Sequence, residues 1–588
     1  RTPLLISQIS PHTQHGSGMV GWRIECIGGD VPVSLESWAG GEIPELTQRV
    51  ARRAFPKGSL AIRLRDTLGH LFDDALFAAA FPADGRPAAG PGALAMVSVM
   101  QYAERLSDRQ AAEAVRARID WKYLLGLELD DGGFDHSLLA RFRARLVMHG
   151  LEERVLEAVL EAAGVQGLLR RGGRQRTDST RVVADVRLLN RMEFVAETLR
   201  AALEALAAAA PEWLEQALTE RETDWLGRYG ERVDSWHGLP DGQDRDSWLR
   251  QVGEDGFHLL TAAWRPDALD WLRRIPALQV LRQVWVQQYH HGSDGVHTRE
   301  GEDVPPGHLL LVSPYDTEAR YGTKKTTGWT GYWLHVTETC DDEAPRLITD
   351  VATATAADGD TEALPGIHSR LTERNLLPAE QLVDSGYVTA GTLVTARREH
   401  GIELVGPARP VAGGDGLQGF GHDHFQIDDA QRKAICPGGH TSVSWAATHS
   451  SRRTRVPLVQ IRFDAATCRA CTLRPHCTTA GNGKWGRALT LREPAQRAAL
   501  QQRRREQETD AWRERYRRRA GIEATICQIV HRTHARRSRY RTAAATHLGH
   551  CLAATAINLI RIDAWQQGHR PERTRTTHLR RLLAHPSK

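Results

Sequence analysis

The chain has 588 residues, 41% hydrophobic and 25% charged. That balance can bury sizeable cores, excludes general disorder and, at roughly 150 residues per domain, implies about three to four units. No run approaches the ~20 consecutive apolar residues of a membrane helix, and the opening Arg1-Thr-Pro-Leu-Leu lacks a secretory-signal pattern, so the expectation is a soluble, cytoplasmic protein. The chain opens on Arg1 rather than Met, which points to residues upstream of it.

The net charge of +5 conceals an asymmetry: residues 501–588 hold 20 Lys and Arg against 7 Asp and Glu, leaving the first 500 residues at −8. A basic end of this kind suits a polyanion, because neutralising phosphates releases counterions; a solvated helix face explains it equally well at this point.

In chain order, residues 1–70 show no clear periodicity, with Gly-rich turns at Gly28, Gly29, Gly40 and Gly41. From Leu71 to about Leu169 the spacing is helical. Pro91 opens a helix through Leu94, Val97 and Met100, and Ser107-Asp-Arg-Gln caps the next, which carries Ala111, Ala112 and Val115. The run Phe134-Asp-His-Ser-Leu-Leu-Ala-Arg-Phe-Arg places Leu138, Leu139 and Phe142 on one face and Arg141, Arg143 and Arg145 on its flanks. Short helices ending in an Arg-bearing one fit a DNA-reading domain, and any small helical domain almost as well.

Arg174-Gln-Arg-Thr-Asp-Ser-Thr-Arg-Val-Val then reads as a strand carrying Asp178, and an Ala- and Leu-rich helical stretch runs from Leu188 to Tyr289. Strands are expected to return at Leu309-Leu-Leu-Val, Gly331-Tyr-Trp-Leu-His-Val-Thr-Glu-Thr and Arg346-Leu-Ile-Thr-Asp-Val. A helix through Ile367 and Leu371, a strand Gln381-Leu-Val ending at Asp384, a helix at Leu393 and a strand at Ile402-Glu-Leu-Val follow. Strands followed by alternating helix and strand indicate a mixed α/β sheet.

Eight cysteines are too sparse for a secreted disulfide scaffold. Four cluster: Cys436 in Cys-Pro-Gly-Gly-His, then Cys468, Cys471 and Cys477. A CxxC pair places two thiolates on one tight turn, and Cys436 with Cys477 would complete a tetrahedral structural zinc site. His440 and His476 are substitute ligands, and isolated thiols or redox chemistry remain alternatives. Cys26, Cys340, Cys527 and Cys551 read as small buried residues.

Three acids stand out. Asp178 lies in a β-forming run, Asp384 ends an apolar strand before Gly386, and Glu523 falls in a helical stretch with Tyr516 and Arg519 at helical spacing on the same face. Converged, they could hold two Mg²⁺ for in-line phosphoryl displacement, but spacing alone does not show convergence. Each acid taken singly reads as readily as a cap, surface charge or salt-bridge partner.

The runs Phe81-Pro-Ala-Asp-Gly-Arg-Pro-Ala, Gln101-Tyr-Ala-Glu-Arg-Leu-Ser-Asp-Arg-Gln-Ala and Asp120-Trp-Lys-Tyr-Leu-Leu-Gly-Leu resemble the N-terminal domain of bacterial insertion-sequence transposases. Thr177-Asp-Ser-Thr, Ser313-Pro-Tyr-Asp-Thr-Glu-Ala-Arg, Gly331-Tyr-Trp-Leu-His, Val383-Asp-Ser-Gly-Tyr, Gly521-Ile-Glu-Ala-Thr and Ala556-Ile-Asn-Leu-Ile-Arg are similar to the family's catalytic core. The likeness runs in consistent order from Leu71 to Trp565 and is nearest the insertion-sequence eleven-eighty-two type.

The resemblance implies a mixed α/β multidomain fold with an RNase H-like core of the DDE class. Residues 1–70 stay unassigned; 71–170 would be a helix-turn-helix-like DNA-binding domain, 171–187 the first core strand, 188–305 a helical insertion and 306–406 the core. Residues 407–495 would be a Cys-rich insertion, and 496–588 basic helices completing the core. Asp178, Asp384 and Glu523 would be catalytic and would hold Mg²⁺ or Mn²⁺, with Zn²⁺ on the cysteines. DNA contacts would fall to Tyr516, Arg519, His531, Arg532, Arg536, Arg537 and Arg539, and sequence reading to Arg141 and Arg143. Tyr516, Arg519 and Glu523 match a family signature whose lysine is replaced here by Val530; His531 or Arg532 would take over that contact.

The function this implies is transposition: binding of terminal inverted repeats, strand cleavage and transfer to target double-stranded DNA, by a homodimer associated with the bacterial nucleoid. A catalytically inactive, zinc-stabilised DNA-binding protein and a DNA endonuclease are the alternatives.

Overall fold

The computed structural model describes residues 42–570 and 579, except 82–89, 187–188, 233–243, 325, 410–419, 451–454 and 479–485. The early Gly-rich turns, Cys26, most of the run after Phe81 and nearly all of the basic tail past Arg570 lie outside them.

Seven helices come first: α1 (Glu45–Ala54), α2 (Leu60–Leu68), α3 (Pro91–Glu104), α4 (Asp108–Ala117), α5 (Ile119–Leu125), α6 (Ser137–Met148) and α7 (Arg154–Val165). Pro91 sits in the first turn of α3, where its missing N–H costs nothing. Ser107 forms a capping box with Gln110, each side chain meeting the other's backbone.

Strand β1 (Arg174–Val183) follows, and then α8 (Arg191–Ala209), α9 (Pro211–Thr219), α10 (Trp225–Tyr229), α11 (Arg245–Ala263) and α12 (Pro276–Gln288). These five helices close a core of their own around Leu199, Leu206, Val252, Leu281 and Trp285. A hairpin of β2 (Tyr289–Gly292) and β3 (Gly295–Thr298) ends the stretch.

The strand expected at Leu309-Leu-Leu-Val does not form. Pro306 and Gly307 start turns into Leu309 and Leu310. The Gln287 side chain then takes up the Leu311 N–H and the Leu309 carbonyl, so the apolar run docks on α12 as a loop. Hydrophobicity sets burial here, and the available hydrogen-bond partner sets the backbone.

The sheet is completed by β4 (Arg320–Lys324), β5 (Thr327–Thr339), β6 (Ile348–Thr355), β7 (Glu380–Leu382) and β8 (Glu403–Val405), with α13 (Asp360–Glu373) and α14 (Ala390–His400) between the later strands. β5 is antiparallel to β1, β4 and β6, whereas β7 runs parallel to both β1 and β8. Only Arg174–Arg176 of β1 pair with β7, so β1 from Thr177 onward runs past that neighbour. Asp178 stands just beyond the shared segment.

The Cys-bearing stretch is built of β9 (Gln426–Asp428), β10 (Lys433–Ile435), β11 (Ser444–His449), β12 (Pro457–Arg462), α15 (Ala465–Ala470) and β13 (Ala488–Leu491) around Phe425, Ile461 and Phe463. The last helices are α16 (Pro494–Glu506), α17 (Asp510–Arg517), α18 (Ile522–Thr533) and α19 (Ala543–Gln566).

α19 is apolar and long enough to cross a membrane, yet it is mostly buried inside the protein. It packs on β6 on one side and on α2, α3, α6 and α7 on the other, in one hydrophobic core shared by the N-terminal helices and the sheet. Asn558 fixes its register: the amide accepts from the Ile348 N–H and donates to the Ile348 carbonyl, both at 2.8 Å.

Beneath the sheet, Glu338 is fully buried between two arginines. Arg176 reaches it at 2.6 Å and Arg561 at 2.8 Å, with Thr525 donating to the same carboxylate at 2.6 Å. Removing one member of such a cluster leaves uncompensated buried charge at a cost of roughly 3–5 kcal/mol. Glu338→Gln is therefore expected to lower the urea midpoint by that amount of stability, read by tryptophan fluorescence; an unchanged midpoint would show that β1, β5, α18 and α19 are held together by apolar packing alone.

Candidate functional site

Asp178 is placed by the β1–β5 pairing. One carboxylate oxygen accepts from the Ser179 N–H at 2.8 Å and the other from Arg519 at 2.5 Å. Burial pushes its pKa up; the Arg519 charge and the Ser179 hydrogen bond act against that, and the nearby Asp384 adds to it. Asp178 and Asp384, far apart in sequence, therefore share one electrostatic environment.

Asp384 follows β7 and is fixed by an Asx turn in which Gly386 N–H donates to it at 2.7 Å. Gly386 is needed for space. A Cβ there would stand 2.9 Å from the Asp384 carboxylate and 2.4 Å from that of Asp360, at the start of α13. Asp360 in turn accepts from the Ser179 hydroxyl at 2.8 Å and lies 3.8 Å from His335. His335 Nδ1 and the Tyr387 hydroxyl are 2.7 Å apart. Burial, then the Arg370 and Lys324 charges, pull the His335 pKa down to about 4, and burial raises that of Tyr387 well above the ordinary phenol range.

The segment expected as one helix from Tyr516 to Gln528 is instead α17, a 3₁₀ turn at Arg518–Gly521, and α18. The break has a packing cause: a Cβ on Gly521 would stand 1.9 Å from an Arg176 guanidinium nitrogen, and that same guanidinium binds the Arg518 carbonyl at 2.6 Å. The turn aims Arg519 at Asp178 while leaving it 3.8 Å from Glu523, whose side chain is 69% exposed. Tyr516 is stacked on Trp512, ring centres 4.8 Å apart.

The remaining expected contacts divide. Arg141, Arg537, His531 and Arg532 are exposed, and the Arg532 carbonyl accepts from Arg105. Arg536 donates to Thr180 and to the Arg181 carbonyl, while Arg539 lies 5.0 Å over the Tyr102 ring. Val530 is half-buried. Arg143, expected beside Arg141 on DNA, is instead buried, bound to Asp108 at 2.6 Å and set over the Tyr540 ring. Its helix face turns into the core shared with α19, which periodicity within one helix does not reveal.

The cysteines Cys436, Cys468 and Cys477 pack on one small core, and Cys471 lies near Cys436 across Gly438. Burial raises the Cys477 thiol pKa, with the other three cysteines adding to the effect. Among the described residues no group of three or more His, Cys, Asp or Glu stands at metal-holding distances. Cys527 is exposed rather than buried, as Cys340 and Cys551 are.

Asp360, His335 and Lys324 are site residues that the acid motifs do not announce. His335 lies inside the Gly331-Tyr-Trp-Leu-His run, while Asp360 follows Asp358-Gly and reads as a turn before a helix. The pairing of β1 with β5 sets His335 opposite Ser179, whose hydroxyl Asp360 accepts from the start of α13, and Lys324 comes in on β4.

Two family models match the chain: a transposase DDE domain over residues 435–563 and a transposase domain (DUF772) over residues 49–145. The first begins one residue before Cys436 and includes Arg519 and Glu523; neither reaches Asp178 or Asp384. No curated protein and no solved structure matches the chain. The chain thus contains stretches similar to two transposase domains, one of them a DDE domain.

The buried His335 gives a pH signature. Unfolded, it binds a proton near 6.5; folded, only near about 4. The stability gained by keeping it neutral is complete above 6.5 and is lost as pH falls toward 4. His335→Gln is expected to flatten the fall in unfolding free energy across this window by up to one proton's worth of slope, measured by denaturant titration at a series of pH values.

Proposed function

We propose that this chain, which contains stretches similar to two transposase domains, is the transposase of a bacterial insertion sequence of the eleven-eighty-two type. It binds the element's terminal inverted repeats, cuts the strand and transfers the freed 3′ end to target DNA. What supports it is Arg519, which binds Asp178 at 2.5 Å and stands 3.8 Å from Glu523, together with the electrostatic influence of Asp384 on Asp178.

Asp178, Asp384 and Glu523 would hold Mg²⁺ or Mn²⁺, which suit all-oxygen donors. The fit rests on the all-oxygen donor set; beside it, Gly386 keeps open the space between the Asp384 and Asp360 carboxylates that a Cβ would fill. Bound there, divalent cations supply activation of the attacking oxygen and charge relief at the leaving one.

The protein's own groups do the rest. Arg519 orients the Asp178 carboxylate and screens it from Glu523. Tyr387, buried and hydrogen-bonded to His335, is held as a neutral phenol and is no nucleophile. Arg537, Arg539, His531 and Arg532 hold backbone phosphates, and Arg141 faces DNA from the N-terminal helices. Two element ends must be paired, for which a homodimer is the simplest assembly, working at the bacterial nucleoid.

The test is cleavage and joining of duplexes carrying the gene's native flanking sequence, with Mg²⁺. Asp384→Asn is expected to bind these ends nearly as well as the intact chain while cleavage falls below detection. Joining by the intact chain distinguishes a transposase from an endonuclease, and binding without any Mg²⁺-dependent nicking would identify an inactive DNA-binding protein.

Cys436, Cys468, Cys471 and Cys477 are proposed to close on a structural zinc ion. About one equivalent of zinc should be bound by the purified protein, and Cys471→Ser should lose it together with the thermal stability of residues 420–491. Metal-free protein that melts and cuts unchanged would overturn this assignment.

A further inference from the structure

Outside the carboxylates, one face of the sheet carries cations that the fold does not use. In the β1–β5 register Ser179 lies opposite His335 and Arg181 opposite Trp333. Side chains alternate along a strand, so these four share a face. Ser179 and His335 end at Asp360 and Tyr387, and Asp360 lies beside Asp384 across Gly386, so this face borders the second carboxylate.

Trp333 is buried and held edge-to-face against Trp329 at 4.6 Å. Lys324, at the end of β4, extends its ammonium over the Trp333 ring at 4.9 Å. The aromatic pair is thus a rigid platform that fixes where the Lys324 charge stands.

Neither Lys324 nor Arg181 forms an ion pair among the described residues. Lys324 is exposed and Arg181 is half-buried. Five other arginines around the sheet differ: Arg176, Arg370, Arg374, Arg515 and Arg519 each face a carboxylate. The Arg181 charge adds to burial in lowering the pKa of Arg536, and that of Lys324 reaches Asp178 and His335. Two unpaired cations beside a carboxylate cluster complement an anion that runs past it.

We infer that Lys324 and Arg181 hold backbone phosphates of the DNA strand entering the carboxylate site, with Trp333 as the platform that fixes Lys324. The inference rests on the transposase reading and extends it to residues of β4 and β1. These are positioning contacts: they set the strand against Asp178 and Asp384 and do not read its sequence.

The experiment uses the full chain and a duplex of the gene's native flanking sequence, with binding measured over a series of salt concentrations. Lys324→Ala and Arg181→Ala should each reduce the slope of log affinity against log salt by about one, and together by about two. Lys324→Arg should restore the slope. A single neutral methylphosphonate, walked through the phosphates flanking the cleavage position, should weaken binding of the intact chain at one position and cause no further loss with Lys324→Ala.

Unchanged slopes in the alanine variants, with the intact chain binding and cutting, overturn the inference and leave the transposase reading standing. A slope loss without any position where the methylphosphonate and Lys324→Ala effects overlap also overturns it, since the charge would then act only at long range. Failure of the intact chain to bind or cut these ends overturns the transposase reading, and the inference with it.

Discussion

Glu338 is the point on which the site's geometry depends. Its carboxylate is fully buried and shared by Arg176 of β1, Thr525 of α18 and Arg561 of α19. A charge so placed is tolerable only when every neighbour stays in position, because desolvation outweighs any one attraction. The cluster therefore locks β1, β5, α18 and α19 in a single arrangement. Arg176 carries that constraint outward through the Arg518 carbonyl and the close approach at Gly521, and so decides where Arg519 and Glu523 stand.

The second constraint is α19. Its apolar surface is covered by β6 on one side and the N-terminal helices on the other, so those helices and the sheet share one core. Further ion pairs tie the layers: Glu153 of the N-terminal region meets Arg370 of α13 and Arg374 just past its end, which also hold Asp350 of β6. The N-terminal helices are thus packed onto the sheet, and Arg143 is drawn inside by that packing. The helices α8–α12 differ in closing their own core, joined to the rest through contacts such as Arg200 and Glu197 with Tyr315.

The carboxylates occupy graded environments. Asp178 is buried and opposed by Arg519, Asp384 is held by its own turn, and Glu523 projects into solvent. On the opposite face of β1, Ser179 links Asp360 to the neutral His335 and Tyr387 pair. The low pKa of His335 follows from burial first and from neighbouring cations second, so the imidazole itself adds no positive charge beside Asp360.

Local order was legible in the sequence wherever it depends on near neighbours. The helix opened by Pro91, the cap at Ser107, the strand bearing Asp178 and the turn after Asp384 follow from short-range rules of backbone sterics and hydrogen bonding. The motifs that carry Asp178, Asp384 and Glu523 were legible because they are local as well. What depends on contacts between distant residues was not legible: Leu309-Leu-Leu-Val became a loop because Gln287 supplied its hydrogen bonds, and the helix at Tyr516 broke because Arg176 lay beneath Gly521. The register of β1 and β5 set Ser179 opposite His335 and Arg181 opposite Trp333, while Asp360 of α13 and Lys324 of β4 reached them from other elements. The sequence by itself determined which segments fold and which acids they carry; only the tertiary structure decided which side chains meet, because strand register and buried charge are set by partners far along the chain.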